Sequence, residues 1–339
     1  MPIRLRFTRL LGTILVVGAC WPPLASHGQT GANPPGQTAT AAEKSKSQTE
    51  AFTKSADYSA QHGGRALLVM QNGEILFERY DNTWTADRPH ILASGTKSFT
   101  GIMAMLAVQD GILQLDELAS DTLTEWKSDP RKSKITVRHL LTLSSGLPSG
   151  DRELSGNRSG AALLGEVAAA RAKRLGIDDA GPRPDNLNLK ALELEAVSDP
   201  GAKFQYGPSH FYAFSELLQR KLKKSDQPQK TTLDYLQKRI LEPVGINVAR
   251  IGRDRAGNPN LPGGMLLTAR EWSKFGQFVL DDGAVRQPDG STKNLLKPEL
   301  LKQCFEPSKA NPSYGLTWWL RSADPEADVG GGLAGGGGL

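Results

Sequence analysis

The chain has 339 residues, of which 38% are hydrophobic and 23% charged, and its formal net charge is +5. That length supports one large domain or two closely packed ones. Lys and Arg are interspersed with Asp and Glu and form no long basic run with aromatics, so the charge reads as a mixed solvated surface and no nucleic-acid partner is expected.

Residues 1–28 carry the pattern of an export signal. Arg4, Arg6 and Arg9 form a basic start, and Leu10 to Trp21 form an apolar stretch too short to span a bilayer. Two processing readings stay open. Cleavage near Ala25-Ser26-His27-Gly28 would release the chain. Cleavage before Cys20 follows from Val17-Gly18-Ala19-Cys20, which resembles a bacterial lipobox and would attach the protein to a membrane through a lipidated Cys20. Both predict an exported protein of the periplasm or cell envelope. With Cys20 removed or lipidated, Cys304 stands alone, so neither an intrachain disulfide nor a cysteine metal site is expected. The five His are isolated, so no metal is expected either.

Residues 29–46, rich in Pro, Gly, Thr and Ala, read as a flexible tether. The remainder, 47–339, reads as one domain. Ser47 and Glu50 have capping-box spacing and predict a helix to His62, closed by Gly63-Gly64. Two β-prone runs, 65–71 and 74–80, flank Asn72-Gly73, a strong hairpin signal. Leu68, Met70, Ile75 and Phe77 would supply its apolar faces. From Gly111 to about Pro262 the pattern is mainly helical. It includes a short helix over Ile135–Leu147, a polar loop over 149–160, a helix over Ala161–Arg174, an apolar run with intervening charge over Leu187–Val197 ahead of Asp199-Pro200-Gly201, and helices over Phe211–Leu222 and Thr232–Leu241. Thr268 and Glu271 have N-cap spacing before a helix whose Phe275, Phe278 and Val279 share a face. Ser313 to Leu320 reads as a strand, and Gly330 to Leu339 is dense in glycine.

The chemistry-bearing stretch is Ala93-Ser94-Gly95-Thr96-Lys97-Ser98-Phe99. Phe99, Ile102, Met103 and Leu106 have helical periodicity, and Asp110-Gly111 supplies a stop with Gly at C′. Residues three apart share a helix face, so Lys97 can reach Ser94 at the helix start. A helix N-terminus favours developing negative charge. A serine hydroxyl becomes a nucleophile when a base takes its proton, and a lysine is that base only in its neutral form. No other Ser in the chain is followed three residues later by Lys. The pair taken alone is better served by a structural N-cap and a solvated ammonium, and only its surroundings turn the reading toward catalysis.

Four blocks, in order across about residues 52–320, resemble the serine hydrolases related to class C β-lactamases and penicillin-binding proteins. Ala93-Ser94-Gly-Thr-Lys97-Ser-Phe resembles their nucleophile motif. Leu140-Leu141-Thr-Leu-Ser-Ser-Gly146-Leu147 resembles their Leu-Leu-Thr-His-Thr-Ser-Gly-Leu block, with Leu143 where His is usual. Pro200-Gly201-Ala-Lys-Phe-Gln-Tyr206 resembles the approach to their Tyr-x-Asn motif. Gly263-Gly264-Met-Leu-Leu-Thr268-Ala-Arg-Glu-Trp272 resembles the return to their sheet domain.

The resemblance implies an α+β fold of the β-lactamase/transpeptidase type. Helices would flank a mixed sheet, and an all-helical region would be inserted over about 112–262, with the nucleophile at the junction. It implies that Ser94 attacks a carbonyl and forms an acyl-enzyme, and that Lys97 accepts the Ser94 proton. Tyr206 would pass it to the leaving group, and the Ser94 N–H would form half of an oxyanion hole. It implies no cofactor, a monomer, and a small-molecule or peptide substrate: a peptidoglycan-type peptide, a β-lactam or an ester. The chain departs from the pattern in two places. Pro208 replaces the Asn of Tyr-x-Asn, which points to an esterase or D-amino-acid peptidase before an efficient β-lactamase. No Lys-Thr-Gly or His-x-Gly triplet follows Trp319, and only the glycines around Gly335, Gly336 and Gly337 lie where substrate would meet that strand. The family continues through two further strands and a closing helix, so the chain reads as a fragment with its hairpin short of sheet partners. The alternative is a non-catalytic envelope protein that keeps the fold for binding.

Overall fold

In the computed structural model of the chain, the described residues are 15–17, 41–150, 154, 185–287 and 289–320. The first helix, α1 (Ala41–Gln61), begins ahead of Ser47, so Ser47 and Glu50 lie within it and do not cap it. Ala41-Ala42-Glu43-Lys44 are strong helix formers and extend the helix into the expected tether. The hairpin follows as β2 (Ala66–Gln71) and β3 (Glu74–Tyr80). Asn72 (φ 53°) and Gly73 (φ 83°) both take the left-handed conformation that a two-residue hairpin of this twist requires.

β2 is buried along both faces. Ala66, Leu68 and Met70 pack on Ala269, while Leu67 and Val69 pack on Ala56 of α1. It is flanked on its free edge by β1 (Leu15–Val17), with Val16 opposite Val69, so the hairpin has a third strand drawn from the N-terminal segment. Ile75, expected on an apolar face, is 40% exposed. The pairing register slips between Val69 and Met70, and β3 forms the other edge of this three-stranded sheet.

A second small sheet has the order β4 (His90–Ile91), β6 (Met265–Leu267), β5 (Arg250–Ile251), so a strand lies within the range expected to be helical. Every pairing among the named strands is antiparallel. Between β4 and β5 come α2 (Lys97–Gln109), α3 (Val137–Leu141), α4 (Leu187–Glu193), α5 (Ser209–Lys224) and α6 (Thr232–Leu236). α6 runs on through a π turn at Gln237–Leu241 into Glu242–Val244. After β6 come α7 (Ala269–Leu280), the hairpin β7 (Ala284–Arg286) and β8 (Thr292–Asn294), and α8 (Pro298–Gln303). Thr268 caps α7 as its spacing predicts, its hydroxyl accepting from the Glu271 N–H at 3.2 Å. The helix expected over Ala161–Arg174 lies outside the described residues.

The central element is α2. Lys97 through Ala107 are all buried, so it is enclosed on every side and not amphipathic. Phe99 stacks on Phe275 of α7 at 3.9 Å between centroids, and Phe275 stacks on Trp318 at 6.1 Å. At the far end, Asp110 accepts from Tyr235 at 2.6 Å and from two nitrogens of Arg239 at 2.6 and 2.9 Å, which fixes α2 to α6. The run expected as a strand, Ser313–Leu320, is instead a tight buried turn in which Tyr314 bridges Trp319. Thr317 sits at φ 67° in that turn, where no strand can continue.

Candidate active site

Ser94 lies on a single 3₁₀ turn, Ala93–Thr96, wedged between β4 and α2. Both ends of the turn are pinned to β6. The Leu92 N–H donates to Met265 O at 2.8 Å, and the Met265 N–H donates to Thr96 Oγ1 at 3.3 Å. Ala93 is held at φ 46°, a conformation that costs a non-glycine residue on the order of 1–3 kcal/mol and persists only where its surroundings impose it. The sharp turn leaves Ser94 partly exposed while Gly95 and Thr96 are buried.

Lys97 opens α2 and is 4% exposed. Its Nζ donates to Ser94 Oγ at 2.9 Å and to Pro262 O at 2.6 Å. The same nitrogen lies 4.9 Å from the Tyr206 ring centroid and 5.4 Å from that of Phe211. The ammonium therefore meets a hydroxyl, a carbonyl and two aromatic faces. The carbonyl is delivered by a tight turn between β5 and β6, in which the Gly264 N–H donates to Asn260 O at 2.8 Å. The spacing of Ser94 and Lys97 anticipates their meeting. Nothing local in the sequence points to Pro262, because its part is played by a backbone carbonyl 165 residues downstream.

Tyr206 belongs to an irregular segment leading into α5. Its ring stacks on Trp319 at 5.8 Å and meets Tyr314 edge-on at 6.4 Å, and Phe204 closes the group at 5.1 Å from Tyr314. Burial, with the Tyr206 phenol beside it, pushes the Tyr314 hydroxyl well above the usual range of a phenol. The next residue, Gly207, has no room for a side chain, since a Cβ there would lie 2.4 Å from the backbone of Ser149. Pro208 then starts α5 at φ −77°, close to the angle its ring imposes, and its carbonyl accepts from the Phe211 N–H at 3.0 Å. It brings no polar group toward Lys97. Ser209, the hydroxyl the sequence offers in place of the Asn, is buried and donates to Pro148 O at 2.5 Å, so it serves the scaffold.

The block at 140–147 forms the floor beneath this segment. The Gln205 N–H donates to Leu143 O at 2.8 Å, and the Gly201 N–H donates to Ser144 O at 2.7 Å. Leu143, which stands where the family has His, is fully buried at φ 53°. His210 is fully buried, and burial pushes its pKa down to about 4, so the ring is neutral. Cys20, Gly335, Gly336 and Gly337 lie outside the described residues. Among those residues no group of three or more His, Cys, Asp or Glu could hold a metal ion. No helix among them is long and apolar enough to cross a membrane.

The β-lactamase family profile matches residues 46–338. The chain belongs to the β-lactamase family. Two curated relatives carry acyl chemistry in their names. Monacolin J acid methylbutanoyltransferase of Aspergillus terreus is 32% identical over 182 residues, which are 47% of this chain and 37% of that protein. Lovastatin esterase of Penicillium rubens is 27% identical over 328 residues, 82% of this chain and 74% of the esterase. The chain thus spans little more than a third of the first relative. A solved structure of a candidate β-lactamase from Bacteroides dorei superposes with a TM-score of 0.57 at 21% identity, covering 84% of this chain and 80% of that one, which speaks to the fold.

Proposed function

We propose that the protein is a serine hydrolase that opens carboxylic esters, or activated amides, through an acyl-enzyme on Ser94. The observation that carries this reading is the 2.9 Å contact between Lys97 Nζ and Ser94 Oγ on a strained turn, with Lys97 almost wholly buried. In its neutral form Lys97 accepts the Ser94 proton as Oγ attacks the substrate carbonyl carbon. The oxyanion faces the Ser94 N–H at the start of the turn. Collapse of the tetrahedral adduct expels the alkoxide or amine, which takes a proton by way of Tyr206. Water then repeats the sequence on the acyl-enzyme and regenerates Ser94. The named activity of lovastatin esterase supports an ester as the substrate. Pro208 supports it too, because the amide that β-lactam-directed relatives place beside the lysine is absent. The export reading of residues 1–28, with release or a lipid anchor on Cys20, belongs to the same proposal; either cleavage would take β1 away from the edge of β2, and N-terminal sequencing of the secreted product tests it.

The test of the chemistry is a fluorophosphonate probe together with p-nitrophenyl ester hydrolysis. Wild type labels and turns over, and Ser94→Ala does neither. Equal labelling of both, or no turnover by wild type, would favour a binding protein that has kept the fold. Pro208 is the observation that favours that second reading.

A further inference from the structure

Tyr206 has no helix or strand to hold it, yet the proposed proton path needs its hydroxyl at a fixed place. One described route into its backbone runs through Gln205. The Gln205 N–H is bound to Leu143 O at 2.8 Å, and Gln205 O accepts from His210 Nε2 at 2.8 Å. A carbonyl can only accept, so Nε2 carries the hydrogen and Nδ1 of the neutral ring is an acceptor. The partner of Nδ1 is Ser145 Oγ at 2.9 Å, which must then donate. Ser145 Oγ in turn accepts from the Leu147 N–H at 3.2 Å. The direction of every bond is thereby fixed: Leu147 N–H to Ser145, Ser145 O–H to His210, His210 N–H to Gln205 O. Ser145 and His210 are both 0% exposed. Both side chains are thus closed off from solvent, while the Gln205 end of the chain is partly buried.

We propose that His210 is a positioning residue for Tyr206, set by Ser145 and acting through the Gln205 carbonyl. The inference rests on the proposed role of Tyr206 in proton transfer. His210 touches neither Ser94 nor Lys97 in any described contact, and it moves no proton itself. Its work is to clamp the peptide unit just before Tyr206, while Gly207 against Ser149 clamps the one just after. Neither residue stands out in the sequence. They are 65 positions apart, and a lone His after a Pro-Ser pair matches no catalytic pattern.

A double-mutant cycle on a p-nitrophenyl ester separates positioning from general support of the fold. His210→Phe keeps the volume and removes both bonds. It should lower kcat about 10–100-fold, with KM changed less than about threefold, as expected for a misplaced proton-transfer group. In a Tyr206→Phe background the same substitution should lower kcat less than about twofold, because the group it positions is already gone. His210→Gln, whose amide N–H can reach Gln205 O, should recover part of the rate. Should His210→Phe fail to fold, Ser145→Ala removes only the hydroxyl, and it should show the same dependence on Tyr206 with a smaller loss. Equal losses in both backgrounds, or wild-type kcat in both variants while Ser94→Ala is inactive, would overturn the positioning role and leave the hydrolase reading standing. A wild type with no Ser94-dependent turnover overturns both.

Discussion

The Lys97 ammonium sets the terms at the scale of single residues. It is buried, and its contacts include the Ser94 hydroxyl, the Pro262 carbonyl and two ring faces. Burying a lysine head group costs folding free energy, and a group that serves chemistry is retained at such a cost. Lys97→Met separates the two. The thioether chain fills the same space with no charge, so the variant should melt at or above the wild-type temperature. Its ester kcat should fall about 10²–10⁴-fold, the range a general base supplies. A stable variant with wild-type turnover would remove Lys97 from the mechanism. The Ser94–Lys97 pair was legible in the sequence because it is local and set by helical geometry. Pro262, Trp319, His210 and Ser145 were not, since each reaches the site through tertiary packing with no spacing rule behind it.

At the scale of elements, the site depends on how α2 is held. Gly101 lies in the middle of that helix, and its N–H donates to Thr317 Oγ1 at 3.0 Å. Thr317 lies at φ 67°, and its own N–H donates to Leu141 O at 2.9 Å, so one strained residue joins α2, α3 and the turn that carries Trp318 and Trp319. In an open helix Gly→Ala is worth about 0.5–1 kcal/mol of added stability. Here a Cβ would lie 2.4 Å from Leu316 O and 2.7 Å from Thr317 Oγ1. Overpacking of that kind costs about 1–3 kcal/mol, so the steric term wins. Gly101→Ala should therefore lower the chemical-denaturation stability by about 1 kcal/mol, the difference between the centres of the two ranges. Unchanged or increased stability would show that the turn at 313–320 yields easily and is no brace. The same contact explains why Ser313–Leu320 misled as a sequence. Its alternation of Tyr, Leu and Trp is strand-like, but the backbone turns back at Thr317 so that the aromatic rings can face Tyr206 and Phe275. By contrast, the Asn72-Gly73 hairpin and the Thr268 cap were readable because their determinants lie within a few residues.

For the whole molecule, the core forms around neutral buried groups, and that makes its stability depend on pH in a defined window. Burial pushes the pKa of His210 from an ordinary 6.5 down to about 4. His90 is displaced to the same extent, first by burial and then by the Arg65 and Arg88 charges, although its ring is more exposed. A depressed folded-state pKa means that the unfolded chain takes up protons first as the pH falls. The stability these rings contribute is complete above pH 6.5, declines as the pH drops toward 4, and changes no further below that. For fully buried His210 the linkage amounts to about 3 kcal/mol in total, of which about 2 kcal/mol is lost between pH 7 and pH 5. The carboxylates held low by their partners, such as Asp116 by Arg138 and Glu125 by Arg220, lose their contributions only further into the acid range. Urea unfolding at pH 7 and pH 5 should therefore show a loss in wild type that His210→Phe reduces by about 2 kcal/mol, leaving the contributions of His90 and of His139, whose pKa burial also lowers. If both proteins lose the same stability over that interval, His210 is not buried as the neutral ring, and the bond directions that lead from Ser145 to Gln205 fail with it.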